Sequence, residues 1–241
     1  RAEEIVSLAD QTASELAHSD ETIEGDVYIG AGESEGMRHV AKMVHAFRER
    51  YPQVCFHLRS GNSIDVVEWL ERGLVDFAVL IAFPNINRFE HVSLRTTDAW
   101  GMLLPEGHPL ASRETVSPRD AAGVPLILSE QALETGELSH WFGNLKDRIE
   151  IAATYNLAFN AAQLVREGVG GALILDNLVS TGPGTGLEFR LMYHRLRLEA
   201  KRNSLHCGEA VLGNHARRDT DTRLEPLKRP MSIRCIAFSL E

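Results

Sequence analysis

Residues Gly32-Glu33-Ser34-Glu35-Gly36 spell GxSxG between a β-rich apolar run and an amphipathic helix. That is the setting of a nucleophile elbow, in which a serine attacks an acyl carbon, so a small-molecule serine hydrolase using Ser34 is one reading. Its chemistry is poorly supported. The turn follows the first strand of the chain, where a hydrolase elbow follows several. Glu33 and Glu35 would oppose a developing oxyanion, and the later histidines His194, His206 and His215 lie in poorly patterned sequence. The same residues also read as a helix start, whose free N–H groups and positive dipole end hold an acceptor group of a ligand. Ser34 is then a cap or a ligand contact. Glu33 and Glu35 weaken that field, so a neutral, zwitterionic or amine-bearing ligand fits as well as a carboxylate. Asn62-Ser63 repeats the arrangement on the next loop, where the plain role is helix capping.

Other chemistry-bearing patterns fall away. Gly168-Val169-Gly170-Gly171 follows a helix and precedes a strand, the reverse of a phosphate-binding turn, so it reads as a helix end and tight turn. The ten histidines form no HExxH or HxH pair, and no metal or cofactor is expected. Cys55, Cys207 and Cys235 are an odd, scattered set without CxxC, which suits a reducing compartment. Trp69, Trp100 and Trp141 have no interleaved basic residues and read as core or cleft-wall residues, not stacking platforms.

The elements that must position these residues follow from periodicity. Asp26–Ala31, Val54–Leu58 and Asp76–Ile81 read as strands. Between them lie a helix with Met37, Val40, Ala41, Val44 and Phe47 on one face, stopped at Tyr51-Pro52, and a helix capped by Asn62 or Ser63 and ended by Gly73. Residues 26–81 are thus β-α-β-α-β, the unit of a doubly wound sheet. A second α/β unit has strands at 99–104, 125–128, 149–154 and 171–175 and helices from Pro118, over 136–147 and over 157–167. Further strands are expected at 187–191 and 196–199. Residues 206–241 show no sustained period and read as a poorly patterned tail, loop except for a strand at 232–240. Residues 1–22 read as one helix, either a coiled-coil seam or a surface helix, beginning inside its own pattern. The expected fold class is therefore α/β, with two doubly wound subdomains joined by two crossings, near 84–90 and 180–187. Ligands of such sheets bind beyond the carboxyl ends of strands, here residues 31–36, 60–63, 81–83, 129–131 and 154–157.

Composition sets the outer limits. Of 241 residues 44% are apolar and 24% charged, which excludes collagen-like and disordered classes. Twenty-five Lys and Arg against 34 acids give a net charge of −9, unsuited to holding a phosphate backbone. No apolar run is long enough to span a membrane, and Arg1-Ala2-Glu3-Glu4 does not open a signal peptide. A cytoplasmic location is expected.

A family resemblance covers roughly residues 1–205. Gly25-Asp26-Val27-Tyr28-Ile29-Gly30, the helix ending Phe47-Arg48-Glu49-Arg50-Tyr51-Pro52, Gly61-Asn62-Ser63, Leu70 to Gly73 with Asp76-Phe77-Ala78-Val79, Leu104-Pro105 to His108-Pro109-Leu110, and Val165 to Gly168 with Gly170 occur in order. This is similar to the effector-binding domain of LysR-type transcriptional regulators. The resemblance implies a two-lobed, type 2 periplasmic-binding-protein-like fold that binds a small co-inducer between its lobes and performs no chemistry. It also implies a homodimer or tetramer, no membrane partner, and DNA contact only through an N-terminal helix-turn-helix domain that this chain lacks. Residues 1–22 then resemble the end of a linker helix, with subdomain I at 23–86 plus 187–205 and subdomain II at 87–186. Effector contacts carry over to Ser34 with Glu35, Asn62, Ser63, Ala82, Ser129, Gln131 and Asn156. From about Asn203 the chain departs from the family, which ends in a strand returning to the first lobe and an amphipathic helix. Completion of the first lobe is therefore the weak point of the expectation.

Overall fold

The computed structural model describes residues 23–81, 86–94, 98–193 and 208–212. The expected helix at 1–22, Ala82, the possible strands at 196–199 and 232–240, and most of the tail lie outside the described residues. Contacts divide the chain into two units. One comprises residues 1–32, 36–94 and 209–241, the other residues 33–35 and 95–208.

The first unit begins as its periodicity predicts. Strand β1 (Gly25–Ala31), helix α1 (Met37–Arg50), strand β2 (Val54–Ser60), helix α2 (Ser63–Glu71) and strand β3 (Phe77–Ile81) follow in order. β1 pairs in parallel with β2 and with β3. Side chains alternate across β1, so Val27 and Ile29 pack with Val40 and Phe47 of α1 on one face. Tyr28 packs on the other face with Val66 and Trp69 of α2. Gly30 lets α2 approach, since a Cβ there would stand 3.0 Å from a Val66 methyl group. Two further strands complete the sheet in the order β2-β1-β3-β11-β4: β4 (His91–Ser93) and β11 (Gly208–Leu212), which are antiparallel to each other.

The second unit carries a six-stranded sheet. Its elements are β5 (Trp100–Pro105), β6 (Thr115–Val116), α3 (Pro118–Ala121), β7 (Leu126–Ser129), α4 (Glu130–Glu134), α5 (Glu137–Phe142), β8 (Ile151–Tyr155), α6 (Ala158–Arg166), β9 (Gly171–Leu175) and β10 (Leu187–Met192). Their order in the sheet is β6-β10-β5-β9-β7-β8. Met102, Leu104, Leu126, Leu128 and Leu173 bury one face with Leu138 and Phe142 of α5. Leu103, Ile127, Ala172 and Ile174 bury the other under Ala161 and Val165 of α6. Both faces are covered, which explains why β7 and β9 read as unbroken apolar runs. Ser117 and Asp120 form a reciprocal capping box on α3.

Four expectations require correction. Residues 187–205 are expected in subdomain I, but β10 at their start pairs antiparallel with β5 inside the second sheet. Residues 91–93, assigned beyond the boundary at 87, form β4 of the first sheet. The chain passes between the units near 94–95 and 208–209, not at 84–90 and 180–187. Residues 206–231 had been read as loop, yet Gly208–Leu212 is a strand of the first sheet. β4 and β11, three and five residues long, are too short to display a period, so pairing alone defines them. β10 was expected as a strand, and only its antiparallel partner decides its sheet.

Candidate functional site

In the first unit the carboxyl ends of β1, β2 and β3 are tied side by side. Gly32 N–H donates to the Val79 carbonyl and Gly61 N–H to the Ala31 carbonyl, each at 3.1 Å. Asn62 is the N-cap of α2: its Oδ1 accepts from the N–H groups of Ile64 and Asp65, both at 2.9 Å. Ser63 is not the cap. Its buried hydroxyl donates to the Ile81 carbonyl at 3.0 Å and accepts the Ile81 N–H at 3.1 Å, locking the start of α2 to the tip of β3. Ala82, the neighbouring expected contact, lies outside the described residues.

In the second unit Ser129 ends β7 and caps α4, its Oγ accepting from Ala132 N–H at 3.4 Å. Gln131 lies in the first turn of that helix. Asn156 is exposed on the loop between β8 and α6. The GxSxG segment joins this unit through its central residues 33–35. Ser34 is buried. Glu35 N–H donates to Asp98 Oδ1 at 3.0 Å, and Asp98 is itself buried. Ala99 N–H, next along the chain, donates to Asp176 Oδ1 at 2.9 Å.

The most specific contact involves a residue outside the expected set. Helix α6 starts at Leu157, whose side chain offers no capping acceptor. The Glu33 carboxylate, 125 residues away in sequence, fills that role by accepting the Ala158 N–H at 2.6 Å. A carboxylate on a helix N-terminus gains both the hydrogen bond and the dipole. Glu33, which its position in GxSxG set beside the start of α1, thus gives its carboxylate to the N-terminus of α6. The Tyr155 hydroxyl, enclosed nearby, donates to the Leu173 carbonyl at 2.8 Å. Burial, and then the Glu33 charge, push its ionisation well above the ordinary tyrosine range, so Tyr155 is a fixed neutral donor. Two clues to this contact existed in the sequence: a helix start without Ser, Thr, Asn or Asp, and an acidic loop in search of donors.

These bonds bear on the hydrolase reading. In a nucleophile elbow the N–H after the serine stabilises the oxyanion. Here that N–H belongs to Glu35 and points at a carboxylate.

The family model of the LysR substrate binding domain matches residues 20–199. The chain belongs to the LysR substrate binding domain family. Among its relatives is the HTH-type transcriptional regulator TtuA of Agrobacterium vitis, 29% identical over 168 residues, which span 68% of this chain and 55% of TtuA. Another is the regulator YvbU of Bacillus subtilis, 24% identical over 159 residues, 66% of this chain and 53% of YvbU. The chain spans about half the length of the curated relatives it matches. Among solved structures, the effector binding domain of QuiR in complex with shikimate superposes with a TM-score of 0.64. That superposition covers 82% of this chain and 91% of QuiR's domain, at 16% identity. The type 2 periplasmic-binding-protein-like α/β fold expected from the resemblance is therefore the fold of this LysR domain. The serine hydrolase alternative is not supported, because the family consists of transcriptional regulators.

Proposed function

We propose that this LysR domain is the sensing part of a longer transcriptional regulator. It binds a small-molecule co-inducer and alters DNA binding by a helix-turn-helix domain carried elsewhere in the whole protein. The single observation that carries this reading is the family match over residues 20–199, joined to relatives named as HTH-type regulators. The domain acts as a homodimer or tetramer in the cytoplasm, where the DNA it regulates is found, and performs no chemistry. The co-inducer contacts are Asn62 and Ser63 at the start of α2 together with Ala82 from the first unit, and Ser34, Glu35, Ser129, Gln131 and Asn156 from the second. The ligand effect on DNA binding can be no larger than the ligand's differential affinity for the two states of the domain.

A thermal-shift screen of small carboxylic acids, amino acids and amines tests the reading. Shikimate belongs in that panel because QuiR's effector binding domain was solved in complex with it. A compound should raise the unfolding temperature of the wild-type chain, with the shift reduced in Ser34→Ala and in Asn156→Ala. Equal affinity in both variants would refute the assigned contacts. Hydrolysis of an activated ester at a rate abolished by Ser34→Ala would refute the absence of chemistry, and light scattering on the eluting protein reads the oligomeric state.

A further inference from the structure

On the face of the first sheet opposite α1, three potential metal ligands meet on neighbouring strands. β1 and β2 run parallel with Asp26 opposite Cys55 and Tyr28 opposite His57. Val27, Val54 and Phe56 pack toward α1, so alternation sends Asp26, Cys55 and His57 to the other side. His57 Nε2 lies 2.7 Å from Asp26 Oδ1, and one ligand atom from each of the three residues falls within 4.8 Å of the others. The imidazole is held in place by stacking on Tyr28, ring centroids 4.7 Å apart at 16°. The nearest cation along β2, Arg59, is drawn over the Trp69 ring at 4.1 Å.

We propose that Asp26, Cys55 and His57 form a surface site for a borderline-soft divalent cation, zinc in the first instance. One thiolate, one imidazole and one carboxylate are the donor types zinc takes, and three protein ligands leave a fourth tetrahedral position for water or an external ligand. At ordinary zinc bond lengths, tetrahedral ligand atoms stand roughly 3.3–3.8 Å apart. The His57–Asp26 hydrogen bond, 2.7 Å long, therefore opens by about half an ångström, and the thiolate, within 4.8 Å of both partners, closes in by up to about an ångström. Both are side-chain movements at an accessible surface, since all three residues are exposed. Such a site departs from the expectation of no metal, which rested on sequential histidine patterns. The Cys55-Phe56-His57 spacing places two ligands on one face of a strand, and the third comes from a strand 29 residues earlier.

Cobalt is the direct probe, because a Co²⁺–thiolate bond gives a near-ultraviolet charge-transfer absorption that carboxylate and imidazole do not. The untagged, fully reduced, chelator-treated chain is titrated with Co²⁺, and Zn²⁺ is then competed against a chromophoric chelator. The expected result is one equivalent bound, with the charge-transfer band abolished in Cys55→Ser and retained in the double variant Cys207→Ser/Cys235→Ser. His57→Gln and Asp26→Asn should each weaken Zn²⁺ binding at least about tenfold. Absence of stoichiometric binding would overturn the proposal. So would a band that survives Cys55→Ser, or zinc affinity unchanged in His57→Gln.

Discussion

At the scale of single residues, Glu33 does the work that the sequence around α6 leaves undone. Glu33→Ala removes a charged acceptor from a helix whose N-cap supplies none. It should lower stability by about 1 kcal/mol, read as a reduced midpoint of urea unfolding. Tyr155 gives a pH signature. Its proton is retained in the folded chain beyond the ordinary value of 10.0, whereas the unfolded chain releases it there. The folded state then holds more protons than the unfolded state, so stability falls as pH rises past about 10. Below that pH the wild type should exceed Tyr155→Phe by about 1 kcal/mol, the worth of the Leu173 hydrogen bond. Urea unfolding between pH 8 and pH 11 should show the two curves converging. A constant difference would place the Tyr155 hydroxyl in an environment open to solvent.

At the scale of elements, the sequence was legible wherever a period of two or 3.6 ran for a full turn or more. The five elements from β1 to β3 follow the reading within a residue or two, because each shows its period or a β-rich run and is bounded by a turn or cap residue. Residues 130–142 were less legible. One helix was expected over 136–147; the chain makes α4 ahead of it, then α5 over Glu137–Phe142 and a 3-10 turn over Gly143–Arg148, with Gly136 and Gly143 at positive φ of 73° and 55°. The Ser129 cap made α4 possible, but a five-residue helix has no periodicity to read. Of the candidate site, the cap of α2 was legible as local chemistry, with Asn62 rather than Ser63 filling it, whereas the Ser129 cap was not legible because the helix it starts was not. The Glu33–Ala158 and Glu35–Asp98 bonds were not legible either, since they join residues 125 and 63 positions apart. Gly101 was likewise unreadable as a close-packing position. It lies on β5 directly under the Phe189 ring of β10, where a Cβ would overlap the aromatic carbons. Gly101→Ala should cost about 1–3 kcal/mol, and adding Phe189→Leu should recover part of that loss. Chemical denaturation of the two variants checks the pair, and additive losses would contradict the packing assignment.

At the scale of the whole molecule, a chain with net charge −9 has no electrostatic means of tracking a duplex. In a gel-shift assay at physiological salt, this LysR domain by itself should leave double-stranded DNA unshifted, with or without ligand. A shift that weakens steeply with added salt would contradict that expectation. An unshifted duplex agrees with the proposed function, in which DNA contact belongs to a helix-turn-helix domain elsewhere in the whole protein.

Strand β11 carries a consequence for how the protein is made. The first sheet places Gly208–Leu212 between β3 and β4, although more than a hundred residues of the second unit separate β4 from it along the chain. During synthesis the ribosome must therefore release the whole second unit before the interior of the first sheet can be filled. The later-encoded unit is free to mature first, while the earlier one waits with a gap at its centre. A released chain truncated after residue 200 should resist limited proteolysis over 98–193 and yield to it over 23–94, with protection of the latter gained only in the chain that includes β11.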